Sequence, residues 1–208
     1  LDSFKAKIKP IMGRSIKDEE FTTIINLKIA TEFKTPLIIG TTGLSEEIKD
    51  FVKTASSKIP IVYSENMSVG VNVLINLIHT ASKVFKYEEY DVEISERHHR
   101  YKVDAPSGTA LALGKAVAKG RNYNFNDKKI FDRTNSKEKR RKGDIGFAVV
   151  RAGEIAGEHT VSFIGTNDRV DLVHKANNRS IFVDGAIEAA IFISKKRTGL
   201  FNMNDLLF

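Results

Sequence analysis

The 208-residue sequence has no cysteine, which excludes disulfides, thiolate nucleophiles and cysteine-ligated metals and fits a reducing compartment such as a cytoplasm. Nor does it contain an apolar run approaching the roughly eighteen residues of a membrane-spanning helix. No signal-peptide pattern is read at its start. The Gly-x-Gly-x-x-Gly fingerprint of a dinucleotide-binding turn is absent throughout, so the pyrophosphate of such a cofactor has no visible partner. No further histidine or carboxylate follows His98-His99 at zinc-site spacing, and no metal is expected. What is present is ordinary for one large or two small globular domains: 41% hydrophobic and 28% charged residues. The formal charge of +7 points to anionic partners, whether nucleic acid, acidic membrane or small metabolites.

Residues 1–20 show no succession of strand, glycine loop and helix. Beyond them the pattern becomes regular. Residues 21–34 read as a helix, and Pro36-Leu37-Ile38-Ile39-Gly40 as a short buried strand. Thr41-Thr42-Gly43 turns the chain. Ser45-Glu46-Glu47 opens a helix with an N-cap and first-turn acids, and residues 59–63 form the next strand. Strand, helix, strand at this spacing is half of a doubly wound sheet, whose ligands bind beyond the carboxyl ends of the strands. Gly40, Thr41 and Thr42 lie at one such end, and Ser64, Glu65, Asn66 and Met67 at the other. Residues 68–85 carry apolar side chains at 71, 74, 75, 78, 81, 84 and 85, a helical stripe facing a core.

The densest chemistry follows. Residues 88–95 alternate apolar and polar side chains, a half-exposed strand that leads into Glu96 to Ala110. Within that stretch Pro106 resists helix at Ala105, and Ser107 is a good N-cap for a helix running to Lys119 and stopping at Gly120. The amides of Gly108, Thr109 and Ala110 then sit where a helix gathers partial positive charge, and Gly108 lets a ligand approach closely. Arg100 and Lys102 lie just upstream. Arginine grips a carboxylate with two parallel hydrogen bonds. His98 and His99 can move a proton near neutrality, as histidines do. A helix start flanked by these cations reads as a site for a small anionic molecule.

Residues 121–143 are polar and strongly basic at 137–142, which reads as a solvated loop, since no aromatics or nucleic-acid module accompany the run. Strands are expected at 145–151, 158–164 and 169–174, with glycines 143, 153, 157 and 165 as turns, and a last helix at 180–194. His79, His159 and His174 are assigned to structure or surface.

Residues 96–110 also carry the pattern Glu-x-His-His-x-x-Lys-x-Asp-Ala-Pro-Ser-Gly-Thr-Ala in full. This resembles the signature of bacterial 4-hydroxy-tetrahydrodipicolinate reductase, long called dihydrodipicolinate reductase. Tyr101 stands where the family often has histidine. The segments at 39–43, 66–72, 149–154, 157–160 and 199–201 resemble the family as well, so the likeness runs over about residues 21–208. The family opens with a glycine-rich βαβ unit, and the expectation is that this first portion is missing here.

The resemblance implies an α/β fold: a Rossmann-like dinucleotide-binding domain, incomplete at its N-terminus (residues 1–68 and 178–208), and an α+β substrate-binding and tetramerisation domain with a mixed open sheet (residues 69–177). It implies reduction of a cyclic imine dicarboxylate by NADH or NADPH in diaminopimelate and lysine biosynthesis. Hydride delivery leaves an enamine-like centre that must take a proton, which Lys102 or His98 would supply. His99, Arg100, Ser107, Gly108 and Thr109 would hold the carboxylates. Gly40, Thr41, Thr42, Ser64, Glu65, Asn66, Met67, Lys102, Arg179 and Phe182 would line the cofactor, although Glu65 stands where the family has a small residue. A homotetramer in the cytoplasm is implied, with neither nucleic acid nor membrane as partner. Two rivals remain: a relative reducing another anionic imine or keto acid, and a basic domain binding nucleic acid through residues 137–142.

Overall fold

The computed structural model describes residues 17–134 and 136–208. Among these the elements run α1 (Asp18–Glu32), β1 (Leu37–Ile39), α2 (Glu46–Ser56), β2 (Pro60–Tyr63), α3 (Val69–Val84), β3 (Asp91–His98), α4 (Gly108–Gly120), α5 (Phe125–Lys128), β4 (Lys129–Ile130), β5 (Ile145–Arg151), β6 (Glu158–Ile164), β7 (Arg169–Lys175), α6 (Ser180–Ile193), β8 (Gly199–Phe201) and α7 (Met203–Leu207). They form two units: the described residues up to Val69 with Phe182–Phe208, and Gly70–Ile181. The reading of residues 1–20 lies, for residues 1–16, outside the described residues.

The first unit is a parallel three-stranded sheet in the order β1-β2-β8. Alternation along β2 sends Ile61 into one core and Val62 into another. Ile61 joins Phe21, Ile24 and Leu27 of α1 and Ile48 and Val52 of α2. Val62 joins Met67, Ala189, Ile193 and Met203. Apolar cover on both faces is why these short strands read as continuous hydrophobic runs. The third strand, β8, comes from the far end of the chain, which local pattern cannot reveal.

Helix α1 begins three residues earlier than its sequence pattern suggested, because Asp18, Glu19 and Glu20 suit the positive end of a helix. It stops at Glu32, and Lys34 turns left-handed at φ 52°, letting the Thr35 amide return to the Ala30 carbonyl at 2.8 Å. Ser45 sits at the N-cap of α2 without a side-chain capping bond; its amide instead donates to buried Glu20 at 3.0 Å.

The second unit is a five-stranded mixed sheet in the order β4-β5-β3-β6-β7, with β3 parallel to β5 and antiparallel to β6. One face packs Val92, Ile94, Ile145, Phe147, Val161 and Phe163 against α3 and α4. The expected stripe faces the core except at one position: Val71, Leu74 and Ile78 are buried and Ile75, Ala81 and Phe85 pack against the core, whereas Val84 is 70% exposed. The 121–143 stretch is not wholly a solvated loop. It contains α5 and β4, and Arg140 is pinned by Asp91 at 3.0 Å, by Glu93, and by the carbonyls of Val92 and Asp144 at 2.9 and 2.7 Å. Among the described residues no helix is long and apolar enough to cross a membrane.

Candidate active site

Strand parity builds the site in the second unit. Val92 and Ile94 point inward from β3, and a period of two sends Glu96 and His98 the same way. Glu96 is completely buried, a position a carboxylate tolerates only when its charge is compensated. Arg151 supplies two parallel hydrogen bonds, NH1 to Oε2 and NH2 to Oε1, each 2.9 Å. The Ser107 amide donates to Oε1 at 3.0 Å, and His98 Nδ1 contacts Oε2. Burial works against ionisation, but the His98, Arg151 and Ser107 donors hold the Glu96 carboxyl down at about 2.

An ionised Glu96 only accepts, so His98 Nδ1 carries the proton and Nε2 is the atom left for chemistry. Gly157 leaves room for it: a Cβ at that position would lie 3.1 Å from His98 Nε2. Opposite Glu96 in the β3–β6 register stands His159. Its ring centre is 5.1 Å from that of His98, and its Nε2 is 3.2 Å from Ser107 Oγ. Burial, and then the charge of His98, pushes the His159 imidazole down to about 4, so at neutral pH an uncharged ring shares this hydrogen bond with the Ser107 hydroxyl. Ser107 Oγ in turn accepts the Ala110 amide at 3.2 Å and caps α4 as its sequence suggested. His159 is therefore a buried member of the site, where the sequence alone offered structure or surface.

Glu96, His98 and His159 offer donor atoms within 4.8 Å of one another, so a carboxylate and two histidines do converge although their spacing showed no such thing. The donor set is nonetheless that of a hydrogen-bonded network. Both Glu96 oxygens are held by a guanidinium that a cation would have to displace.

Past His98 the chain forms a short loop. Lys102 Nζ lies 2.7 Å from Asp104, and the Lys102 amide donates to the His99 carbonyl at 3.2 Å. Burial would raise the Asp104 carboxyl, but Lys102 and nearby amides, including that of Gly108, hold it below its ordinary value. His99 is half-buried, and its Nδ1 has no hydrogen-bond partner among the described residues. The Arg100 side chain is exposed, as is Gly108, while Thr109 is half-buried. The expected cradle of helix-start amides is partly filled from within: Ala110 serves Ser107, and Gly108 serves Asp104. What remains at the surface is the Lys102–Asp104 pair beside Gly108.

In the first unit, Gly40, Thr41 and Thr42 follow β1 and line an open cavity of about 830 Å³ with Lys17, Asp18, Glu19, Thr22, Thr23 and Asn26. Thr41 Oγ1 lies 3.1 Å from Thr23 Oγ1. Ser64 Oγ donates to the Asn66 carbonyl at 2.8 Å, Asn66 Oδ1 accepts the Ser68 amide at 2.9 Å, and Tyr63 OH reaches Glu65 at 3.3 Å. The Met67 side chain is 7% exposed within the core, so only its backbone could meet a ligand. Arg179 is exposed just before α6, and Phe182 is half-buried in its first turn.

Comparison with known proteins fits this arrangement. The sequence matches "Dihydrodipicolinate reductase, N-terminus" over residues 20–67 and "Dihydrodipicolinate reductase, C-terminus" over residues 70–207. The chain belongs to this family. Among its relatives, the 4-hydroxy-tetrahydrodipicolinate reductase of Nitrosospira multiformis is 46% identical over 185 residues, 89% of this chain and 68% of the relative. That of Ralstonia pickettii is 43% identical over 185 residues, 89% of this chain and 70% of the relative. A solved dipicolinate-bound dihydrodipicolinate reductase from a Paenisporosarcina species superposes with a TM-score of 0.66 at 20% identity, covering 95% of this chain and 75% of that one. Its likeness bears on the fold: a Rossmann-like unit with a parallel sheet and an α+β unit with a mixed sheet, as the sequence suggested.

Arg151 and His159 were missed as site residues, and Glu96 was seen only as part of a signature. A signal for Glu96 existed: extending the alternation two positions past Ile94 puts it on the buried face.

Proposed function

We propose that this family member reduces 4-hydroxy-tetrahydrodipicolinate, by way of dihydrodipicolinate, to tetrahydrodipicolinate in diaminopimelate and lysine biosynthesis. NADH or NADPH is the reductant. The observation that carries this reading is the buried Glu96 cluster, which holds His98, the capped Ser107 helix start and the Lys102 loop together. Loss of water, one hydride and one proton complete the reaction, and the bound nicotinamide supplies the hydride.

The remaining work falls to the chain. Lys102 Nζ donates the proton that follows the hydride, with His98 Nε2 as the second acid. The ammonium now paired with exposed Asp104 would exchange that carboxylate for one of the substrate's. His99, Arg100, Ser107, Gly108 and Thr109 hold the two carboxylates, the Gly108 amide being freed when the substrate displaces Asp104.

The first unit binds the dinucleotide. Gly40, Thr41 and Thr42, with residues 64–67, stand at the carboxyl ends of parallel strands, where such sheets take nucleotides. Asp18 and Glu19 on the same cavity disfavour phosphates there and favour the nicotinamide end. Arg179 and Phe182 complete the proposed contacts. The second unit takes the substrate and forms the tetramer. Its sheet leaves Val150, Ile164 and Val173 at 42%, 37% and 49% exposure on the face away from α3 and α4. The bacterial cytoplasm is the proposed compartment.

The test is nicotinamide oxidation by the purified protein with freshly generated 4-hydroxy-tetrahydrodipicolinate, with NADH and NADPH in parallel. Simple keto acids serve as competitors. Turnover of the keto acids in preference to the cyclic substrate would overturn the reading.

A further inference from the structure

Arg151 has five N–H groups, and all five are engaged. Two hold the Glu96 carboxylate at 2.9 Å each. NH1 also donates to the Val150 carbonyl at 2.9 Å. The other two reach into the loop beyond β3: Nε to the Lys102 carbonyl at 3.2 Å and NH2 to the Asp104 carbonyl at 2.5 Å. A guanidinium needed only to neutralise Glu96 would use two donors. Here two more are spent on the backbone flanking Lys102, which a planar five-donor fork can do at once and an ammonium cannot.

The register explains how the clamp is assembled. Parallel pairing of β3 with β5 sets Arg151 beside His98, two residues from Glu96 and on the same face of the sheet. From there the side chain spans the buried carboxylate and the exposed loop, and it is itself only 17% exposed. The loop's other ties are the Lys102 amide to the His99 carbonyl, the Arg100 amide to the Gly153 carbonyl, and the Asp104 carboxylate to Lys102 Nζ and the Gly108 amide; none fixes the carbonyls that Arg151 holds.

We propose that Arg151 is a positioning residue for Lys102, its guanidinium fixing the loop backbone to buried Glu96 so that Lys102 Nζ is held for proton donation. The inference rests on the role given above to Lys102. Arg151 touches no substrate in this scheme; it acts through the lysine.

Two measurements test it. Amide hydrogen exchange at residue 102 is compared between the wild-type protein and Arg151→Lys, a variant that keeps a charge for Glu96 but loses the fork. Exchange at 102 should rise while the β6 amides stay protected. Turnover is then measured in a double-mutant cycle with Lys102→Ala. Arg151→Lys alone should lower kcat by about tenfold to a hundredfold, the scale of a misplaced catalytic group. In the Lys102→Ala background the same change should cost less than about twofold. Arg151→Ala, assayed with and without added guanidinium ion, should regain turnover when the ion is present. Unchanged exchange at residue 102 would overturn the clamp whatever the protein turns over. Raised exchange with fully multiplicative losses in kcat would overturn positioning through Lys102. A wild-type protein without turnover would instead remove the functional reading, leaving the exchange data to judge the clamp.

Discussion

Replacing Glu96 by glutamine removes one charge from a buried cluster and changes almost no volume. The amide oxygen can still accept from one partner, but its NH2 group must face the N–H of His98 or Arg151, so a donor meets a donor. Arg151, 17% exposed at its side chain, is left without a counter-charge. Breaking a buried ion pair by removing one partner costs about 3–5 kcal/mol, and the residual exposure of Arg151 places the expected loss near about 3 kcal/mol. Against a total stability of about 5–15 kcal/mol this is a large fraction. With a urea slope of about 2 kcal/mol/M, the midpoint at pH 7 should fall by about 1.5 M. The sign with pH is fixed by the depressed carboxyl. Its stabilisation is fully present above the ordinary value of 4.5 and fades as pH falls toward about 2, so the gap between wild type and variant closes in that window. Turnover should fall too, because His98 loses the acceptor that fixes its Nδ1 proton. A midpoint shift below about 0.5 M would refute the view that Glu96 is the site's electrostatic hub.

Further consequences can be measured independently. Gly157→Ala places a methyl 3.1 Å from His98 Nε2, so kcat should fall while the affinity for NADH, read by fluorescence titration, is unchanged. Stability should decline by about 3 kcal/mol between pH 6.5 and about 4, because the unfolded chain takes up a proton that buried His159 refuses; His159→Gln should flatten that slope in urea titrations. Gly185→Ala would set a Cβ 1.7 Å from the Met67 carbonyl oxygen, so it should lower the thermal midpoint of the first unit markedly, whereas Gly108→Ala, with open space around its Cβ, should not.

Much of this was legible in the sequence because it is local. The capped start of α4 follows from Pro106, Ser107 and Gly108, and the Ser107–Ala110 bond is as expected. The β1–α2–β2 unit follows from two short apolar runs around an acidic helix start. What stayed hidden depends on register. Arg151 lies 55 residues from Glu96, and His159 reaches Ser107 across 52, pairings that exist only once β5 and β6 flank β3. Ending the strand at Ser95 concealed that Glu96 and His98 continue the inward row of Val92 and Ile94. Arg140 looked like one more charge in a basic run, yet Asp91 and Glu93 on β3 draw it onto the sheet. Met67 sits in a segment that resembles a cofactor loop, but its side chain fills the core beneath Gly40.

The account turns on a hydride reaching the dicarboxylate and Lys102 supplying the proton that follows. The most direct measurement uses nicotinamide cofactor carrying deuterium at the transferable position, with tetrahydrodipicolinate analysed by mass spectrometry. The account predicts one deuterium in the product made by the wild-type protein, and a rate lower by about a hundredfold or more in Lys102→Ala, the range expected for loss of a positioned acid. Product without label, or a Lys102→Ala variant that forms labelled product at the wild-type rate, would contradict it.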